Sequence, residues 1–227
     1  MCQRFREHAQ TYLSDVERTY LTTRWMQLVV MQHYGAPTGL LDWTKSPWVA
    51  AFFAVADGWR DDDDDDGYVY VFRHGRFGDL LRSRVGPEVD RFVWGPHPTD
   101  LDYSDPKWDE AQPNDELFKD SVVSELKEWA AVFHCRGAHF PRLVAQQGLF
   151  TFASRPQTDH WRAIWPLLGE KSRWVFRIAH EAKPEILRNL NSVGLNAATL
   201  FPGADGVGKS LDGYARAWHL GPPPSHL

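Results

Sequence analysis

The first twenty residues carry Phe5, Ala9, Tyr12, Leu13, Val16 and Tyr20 on one face at helical spacing, and a second such pattern begins at Trp25, Leu28, Val29 and Gln32. Two helices are therefore predicted to open the chain. Pro37 ends the second, and Ser46 followed by Pro47 starts a third: a hydroxyl positioned to cap free amides, then a proline in the first turn. That third helix, about Pro47 to Ala56, is almost wholly apolar, which predicts burial on nearly all sides. Tyr68 to Phe72 reads YVYVF, a β-branched and aromatic run that predicts a strand buried on both faces or paired inside a sheet.

Farther along, the stretch from Gly95 to Asn114 holds four prolines and many aspartates without a period, and reads as a long surface loop. A helix from about Asp115 to Trp129 follows, then a strand at Leu149 to Ala153, another at Ser172 to Ala179, and a helix from Pro184 to Val193 closed by Gly194. A last helix near Lys209 to Trp218 precedes the tail, residues 220–227 ending in GPPPSHL, which is expected to be disordered. This is an α+β chain: a small mixed sheet, helices at the N-terminus and helices flanking the sheet. Residues 1–219 are read as a single domain.

Composition changes this picture little. With 43% hydrophobic and 14% aromatic residues, a chain of 227 residues has enough apolar material for a core. The net charge of -5 is dominated by the run Asp61 to Asp66, so no strong nucleic-acid signal is present. Cys2 and Cys135 are the two cysteines, too few for a disulfide framework or a four-thiolate zinc site, which points to a reducing, cytoplasmic setting. No metal is called for. The N-terminus lacks the apolar run of a signal peptide, and no apolar stretch reaches the ~18 residues of a membrane span.

Five motifs bear on chemistry. Gly203 to Ser210, GADGVGKS, matches a phosphate-binding loop letter for letter, yet only 17 residues follow it, and it reads instead as a turn into the last helix. The aspartate run ends in the first half of a calcium loop, but Arg73 stands where the closing glutamate belongs, so a solvated connection is expected. His134, Cys135 and His139 lack an acid partner at helical spacing and read as structural. Gln32 to Thr44 is different. His33, Tyr34, Thr38, Asp42, Trp43 and Thr44 crowd between apolar elements, and Gly35, Pro37 and Gly39 make the segment a folded loop able to turn side chains toward one point. The alternative is that Asp42 and Thr44 satisfy local amides and that His33 is a hydrogen-bonded core histidine. A second cluster, RLVAQQGLFT from Arg142, places Gln146 and Gln147 at a strand entrance, where their amides either read a ligand or tie the loop to its neighbours.

Gln32 to Val55, with its QHYG, PT, LLDWT and alanine-rich FFA helix, resembles the signature of the FRG domain family. RLVAQQGLFT and the closing ILRNLNSVGLNAATLFPGADGVGKSL agree with it in order and spacing, and in similar proteins that closing block is not a nucleotide site. Where the family carries its namesake Phe or Tyr, Arg, Gly, this chain has Phe5, Arg6 and Glu7 inside a helical pattern; the namesake strand is then expected to lie upstream of the residues given. Gly39 stands where many relatives have arginine. The layout is also similar to ADP-ribosyltransferases, which implies NAD as a candidate substrate and no required cofactor. On that likeness Thr44 forms one wall and Gln146 and Gln147 the other, with Tyr34, Thr38 and Arg142 as binding residues. Asp42 or His33 orients the ribose or acceptor, and a carboxylate or amide stabilises an oxocarbenium-like centre. The resemblance therefore implies a nucleotide-ligand domain, of a toxin or defence effector in its enzymatic form. The alternative is a non-catalytic binding or regulatory module.

Overall fold

The computed structural model describes residues 2–19, 21, 24–56, 65–73, 130–133, 140–153, 159–165 and 168–219. In chain order these form α1 (Cys2–Ala9), α2 (Asp15–Thr19), α3 (Arg24–His33), β1 (Leu40–Thr44), α4 (Pro47–Ala56), β2 (Gly67–Phe72) and β3 (Ala130–Phe133). Next come α5 (Pro141–Ala145), β4 (Gly148–Ala153), α6 (His160–Ile164), β5 (Arg173–Ile178), α7 (Lys183–Ser192), α8 (Ala197–Leu200) and α9 (Ala204–His219). The strands make a three-stranded sheet in the order β1-β4-β3 and a two-stranded sheet of β2 and β5. The mixed α+β class expected from the sequence is thus present. The expectations for 95–114, 115–129, the residues 134, 135 and 139, and the tail lie outside the described residues.

The elements fall into two compact units that interleave along the chain: Met1–Trp43, Phe72–Ala138 and Leu149–Arg173 form one, and Thr44–Val71, His139–Gly148 and Trp174–Leu227 the other. In the first, α1 packs on α3. The opening helix is not continuous, as its spacing predicted. Ser14 interrupts it with a capping box, its Oγ accepting from the Glu17 amide at 3.3 Å while the Glu17 carboxylate accepts from the Ser14 amide at 2.8 Å. The central helix is α3, whose six consecutive residues Met26 to Met31 are all buried. The polar one among them, Gln27, donates its amide to the Leu21 carbonyl at 2.8 Å, which satisfies a group otherwise costly to bury. Strand β4 pairs antiparallel with β3, with Val132 opposite Thr151.

In the second unit, Val49, Phe52 and Val55 of α4 meet Leu190, Leu200 and Phe201 in one core. Helix α4 has the predicted bounds, and its cap is the predicted one: the Val49 amide donates to Ser46 Oγ at 3.3 Å. Its burial differs. Trp48 is 66% exposed and Phe53 40%, so the helix is one-sided, and it is α3 that is enclosed. The YVYVF strand is also not interior, since among the described residues β2 has β5 as its one sheet neighbour and Tyr68 and Tyr70 are exposed. Asp66, last of the aspartate run, accepts from Arg177 Nε and, at 3.0 Å, from the His180 amide. The Arg177 guanidinium holds that carboxyl below the usual range.

The last helix starts five residues before the predicted Lys209, at Ala204. The letters of the phosphate-loop match are therefore helix from their second residue onward. A Cβ on Gly206 would lie 1.8 Å from the Phe201 carbonyl oxygen, so this glycine lets α9 lie directly on the chain that precedes it.

Candidate functional site

The sequence treats Gln32 to Thr44 as one folded loop. The structure shortens that loop: residues to His33 belong to α3, Gly35 turns the chain at a φ of +73°, and LLDWT is strand β1. Strand alternation then sends Asp42 and Trp43 to opposite faces.

On the Asp42 side, Thr38 Oγ1 accepts from the Leu40 amide at 3.1 Å and donates to Gln32 Oε1 at 2.5 Å. The Gln32 Nε2 donates in turn to Asp42 Oδ2 at 2.7 Å. A backbone amide, a hydroxyl, a carboxamide and a carboxylate thus form one ordered chain, each donor meeting an acceptor. Asp42 is exposed, and among the described residues its Oδ1 has no partner. The carboxylate is held at one oxygen and open at the other.

On the Trp43 side the indole Nε1 donates to Thr151 Oγ1 at 3.0 Å, and that hydroxyl lies 2.7 Å from His160 Nδ1. Thr151 is fully buried. Because the indole can only donate, the hydroxyl keeps its proton for another acceptor, and Nδ1 fills that role in the neutral His160 form protonated on Nε2. Burial lowers the His160 pKa, against the raising effect of Asp159, and agrees with that assignment. Around this chain Trp43 meets Phe72 edge-on at 4.8 Å, Trp161 lies 4.6 Å from Trp165, and the Arg173 guanidinium covers Trp165 at 3.8 Å.

His33, the last residue of α3, sets its ring at 88° to that of Tyr34, 5.0 Å away. The Tyr34 phenol donates to Glu17. Desolvation, then that bond and the charge of Glu17, push the phenol up to about 12. Burial works to raise the Glu17 carboxyl, but hydrogen bonds from the Ser14 and Tyr34 hydroxyls and the Ser14 amide outweigh it and hold the group low. Tyr34 thereby fastens the end of α3 to the start of α2.

The remaining predicted residues lie in the second unit. Thr44 Oγ1 donates to the Gln146 carbonyl at 2.7 Å and accepts from the Ser46 amide at 3.0 Å. Gln146 follows α5 and donates its side-chain amide to the Leu200 carbonyl at 3.0 Å, tying α5 to α8. Gln147 is exposed and sits in the left-handed region at a φ of +48°, an uncommon conformation for a residue with a Cβ. Its carbonyl accepts from the Lys45 amide at 3.1 Å. The Arg142 guanidinium lies over the Phe201 ring, 4.6 Å from its centroid.

The structure thus joins Thr38 and Asp42 through Gln32, joins Thr44 to Gln146, and joins His33 and Tyr34 to Glu17. Gln32, Thr151 and His160 belong to these networks though the sequence did not single them out for chemistry. Gln32 heads the QHYG letters and Thr151 closes the RLVAQQGLFT block, so both stood inside segments already marked. His160 carried no signal of its own. Among the described residues no group of three His, Cys, Asp or Glu side chains is placed to hold a metal ion, and no helix is long and apolar enough to cross a membrane.

No curated protein and no solved structure gives a significant match to the chain. Residues 1–63 match the family model of the FRG domain, a span that takes in the whole segment from Gln32 to Val55 and supports the resemblance carried by that segment.

Proposed function

We propose that this FRG-domain chain recognises a hydroxyl-bearing small ligand of nucleotide type, with NAD as the first candidate, and that Asp42 is the acceptor at the centre of recognition. One observation carries this reading: an exposed carboxylate fixed at Oδ2 by Gln32 Nε2, with Oδ1 unpaired among the described residues. A carboxylate oriented in this way suits a vicinal diol, to which it offers a charge-assisted acceptor without first losing side-chain freedom. Thr38 and Gln32 act as positioning residues. Nothing in this reading requires a cofactor, and the two cysteines suit a reducing, cytoplasmic setting.

A second, enzymatic reading rests on Gln147. An exposed polar side chain on a left-handed backbone is the kind of local strain that clusters at functional sites. As an ADP-ribosyltransferase-like toxin or defence effector, the chain would break the glycosidic bond to nicotinamide and form a new one from the ribose to an acceptor. Gln147 is the residue this reading offers for that step.

The test is a calorimetric titration of the purified chain with NAD, beside Asp42→Asn. Saturable binding to the native chain that is lost in the variant, with unchanged melting, supports the binding reading. Nicotinamide released on incubation extends it to the enzymatic one. Absence of NAD binding to the native chain sinks both.

A further inference from the structure

Two cations converge on one ring in the second unit. The Arg142 guanidinium is 4.6 Å, and the Lys209 Nζ 4.2 Å, from the centroid of Phe201. Each approach has its own fastener. Gln146, one turn beyond Arg142, donates its side-chain amide to the Leu200 carbonyl, the residue before Phe201, and so draws α5 toward this ring. Gly206 lets α9 lie against the Phe201 carbonyl, and Lys209, three residues on, shares that side of the helix. Neither cation forms an ion pair among the described residues. Asp205, one turn before Lys209 on α9, is not paired with the lysine.

Like charges brought onto one aromatic ring repel, and the ring quadrupole answers each of them only weakly. A multiply charged oxyanion would meet both: the guanidinium supplies a planar fork of donors and the ammonium a mobile point charge. The two distances place the charges within about 9 Å of each other, a separation at which one anion can interact with both. A Cβ at Gly208, next to Lys209, would meet nothing within 4 Å, so the helix beside the lysine is open.

We propose that Arg142 and Lys209, held on Phe201, form a binding site for a phosphorylated small molecule, engaging a phosphate or pyrophosphate group. The lysine of the GADGVGKS letters then binds phosphate from a helix surface, together with an arginine from another block, and not through a loop of amides. The site lies within the second unit and is independent of the Asp42 reading, so either can fail alone.

The test is calorimetric titration of the full chain with inorganic pyrophosphate at low and high salt, using Arg142→Gln, Lys209→Gln, the double variant, and Lys171→Gln as a control from the first unit. Saturable binding is expected in the native chain and the control, weakened about tenfold by each single change, abolished in the double variant and reduced by salt. Lys209→Arg should retain most of it. Circular dichroism on each variant separates loss of the site from loss of the fold; should the double variant unfold, the single variants and Lys209→Arg decide. No saturable binding by the native chain, or equal binding by native chain and folded variants, overturns the proposal.

Discussion

Two hydrogen-bond chains hang from strand β1, one on each face. The inward one runs from Trp43 through Thr151 to His160, and its central hydroxyl is fully buried. The outward one runs from the Leu40 amide through Thr38 and Gln32 to Asp42 and ends in an exposed carboxylate. Both are built from short links, yet they do different things. Inside, an unmet donor would carry its full desolvation cost, and the indole N–H and the hydroxyl each meet a partner. Outside, water can serve an unmet acceptor, and the chain stops with one oxygen open. A polar side chain in a sequence motif is therefore informative only once its partners are known: Thr151 is occupied by structure, and Asp42 is half available.

The sharpest way to break this contrast is Thr151→Val. It keeps the shape and strands both the indole N–H and His160 Nδ1, and should lower unfolding stability by about 2–4 kcal/mol in urea denaturation. A cost near zero would mean that the inward chain is not structural. Trp43→Phe removes one donor and part of the packing on Phe72, while Thr151 keeps His160; about 1–2 kcal/mol is expected from the same measurement. A third effect follows from pH. The folded chain holds His160 below its ordinary value of 6.5. As pH falls below 6.5 the unfolded chain takes up the proton first, so stability declines until the folded His160 also titrates and then levels off. In His160→Leu that part of the pH dependence should vanish, which melting curves across the range will show.

The outward chain should respond least. Asp42→Asn and Gln32→Leu each break a solvent-exposed bond and should cost under about 1 kcal/mol. Their effect belongs to ligand binding, where Asp42→Asn removes the charged acceptor and Gln32→Leu only frees it to rotate. A large loss of stability from either would move Asp42 into the structural class.

Much of the helical outline was legible because its signals are local. Ser46 and Pro47 mark the start of α4, and Gly194, at a φ of +79°, ends the turn after α7. The break between α1 and α2 was legible too, in the spacing of Ser14 and Glu17, but the apolar spacing across it masked the capping box. Burial was less accessible. The apolar α4 is one-sided and the mixed α3 is enclosed, since what surrounds a helix is set by distant segments. The LLDWT strand was hidden by the glycines and proline before it. For the site, residue types such as Asp42 and Arg142 were visible, but their partners were not: Gln32 reaches Asp42 only after the turn at Gly35 folds α3 back beside β1, and Lys209 meets Arg142 only through Phe201.

The most direct measurement is an NMR titration with NAD that follows the side-chain amide of Gln32, whose Nε2 is bonded to Asp42. The account predicts that this resonance shifts on saturation, that the indole N–H of Trp43 on the opposite face moves much less, and that neither responds in Asp42→Asn. An unshifted Gln32 amide at saturating NAD, or a shift that persists in Asp42→Asn, would contradict it.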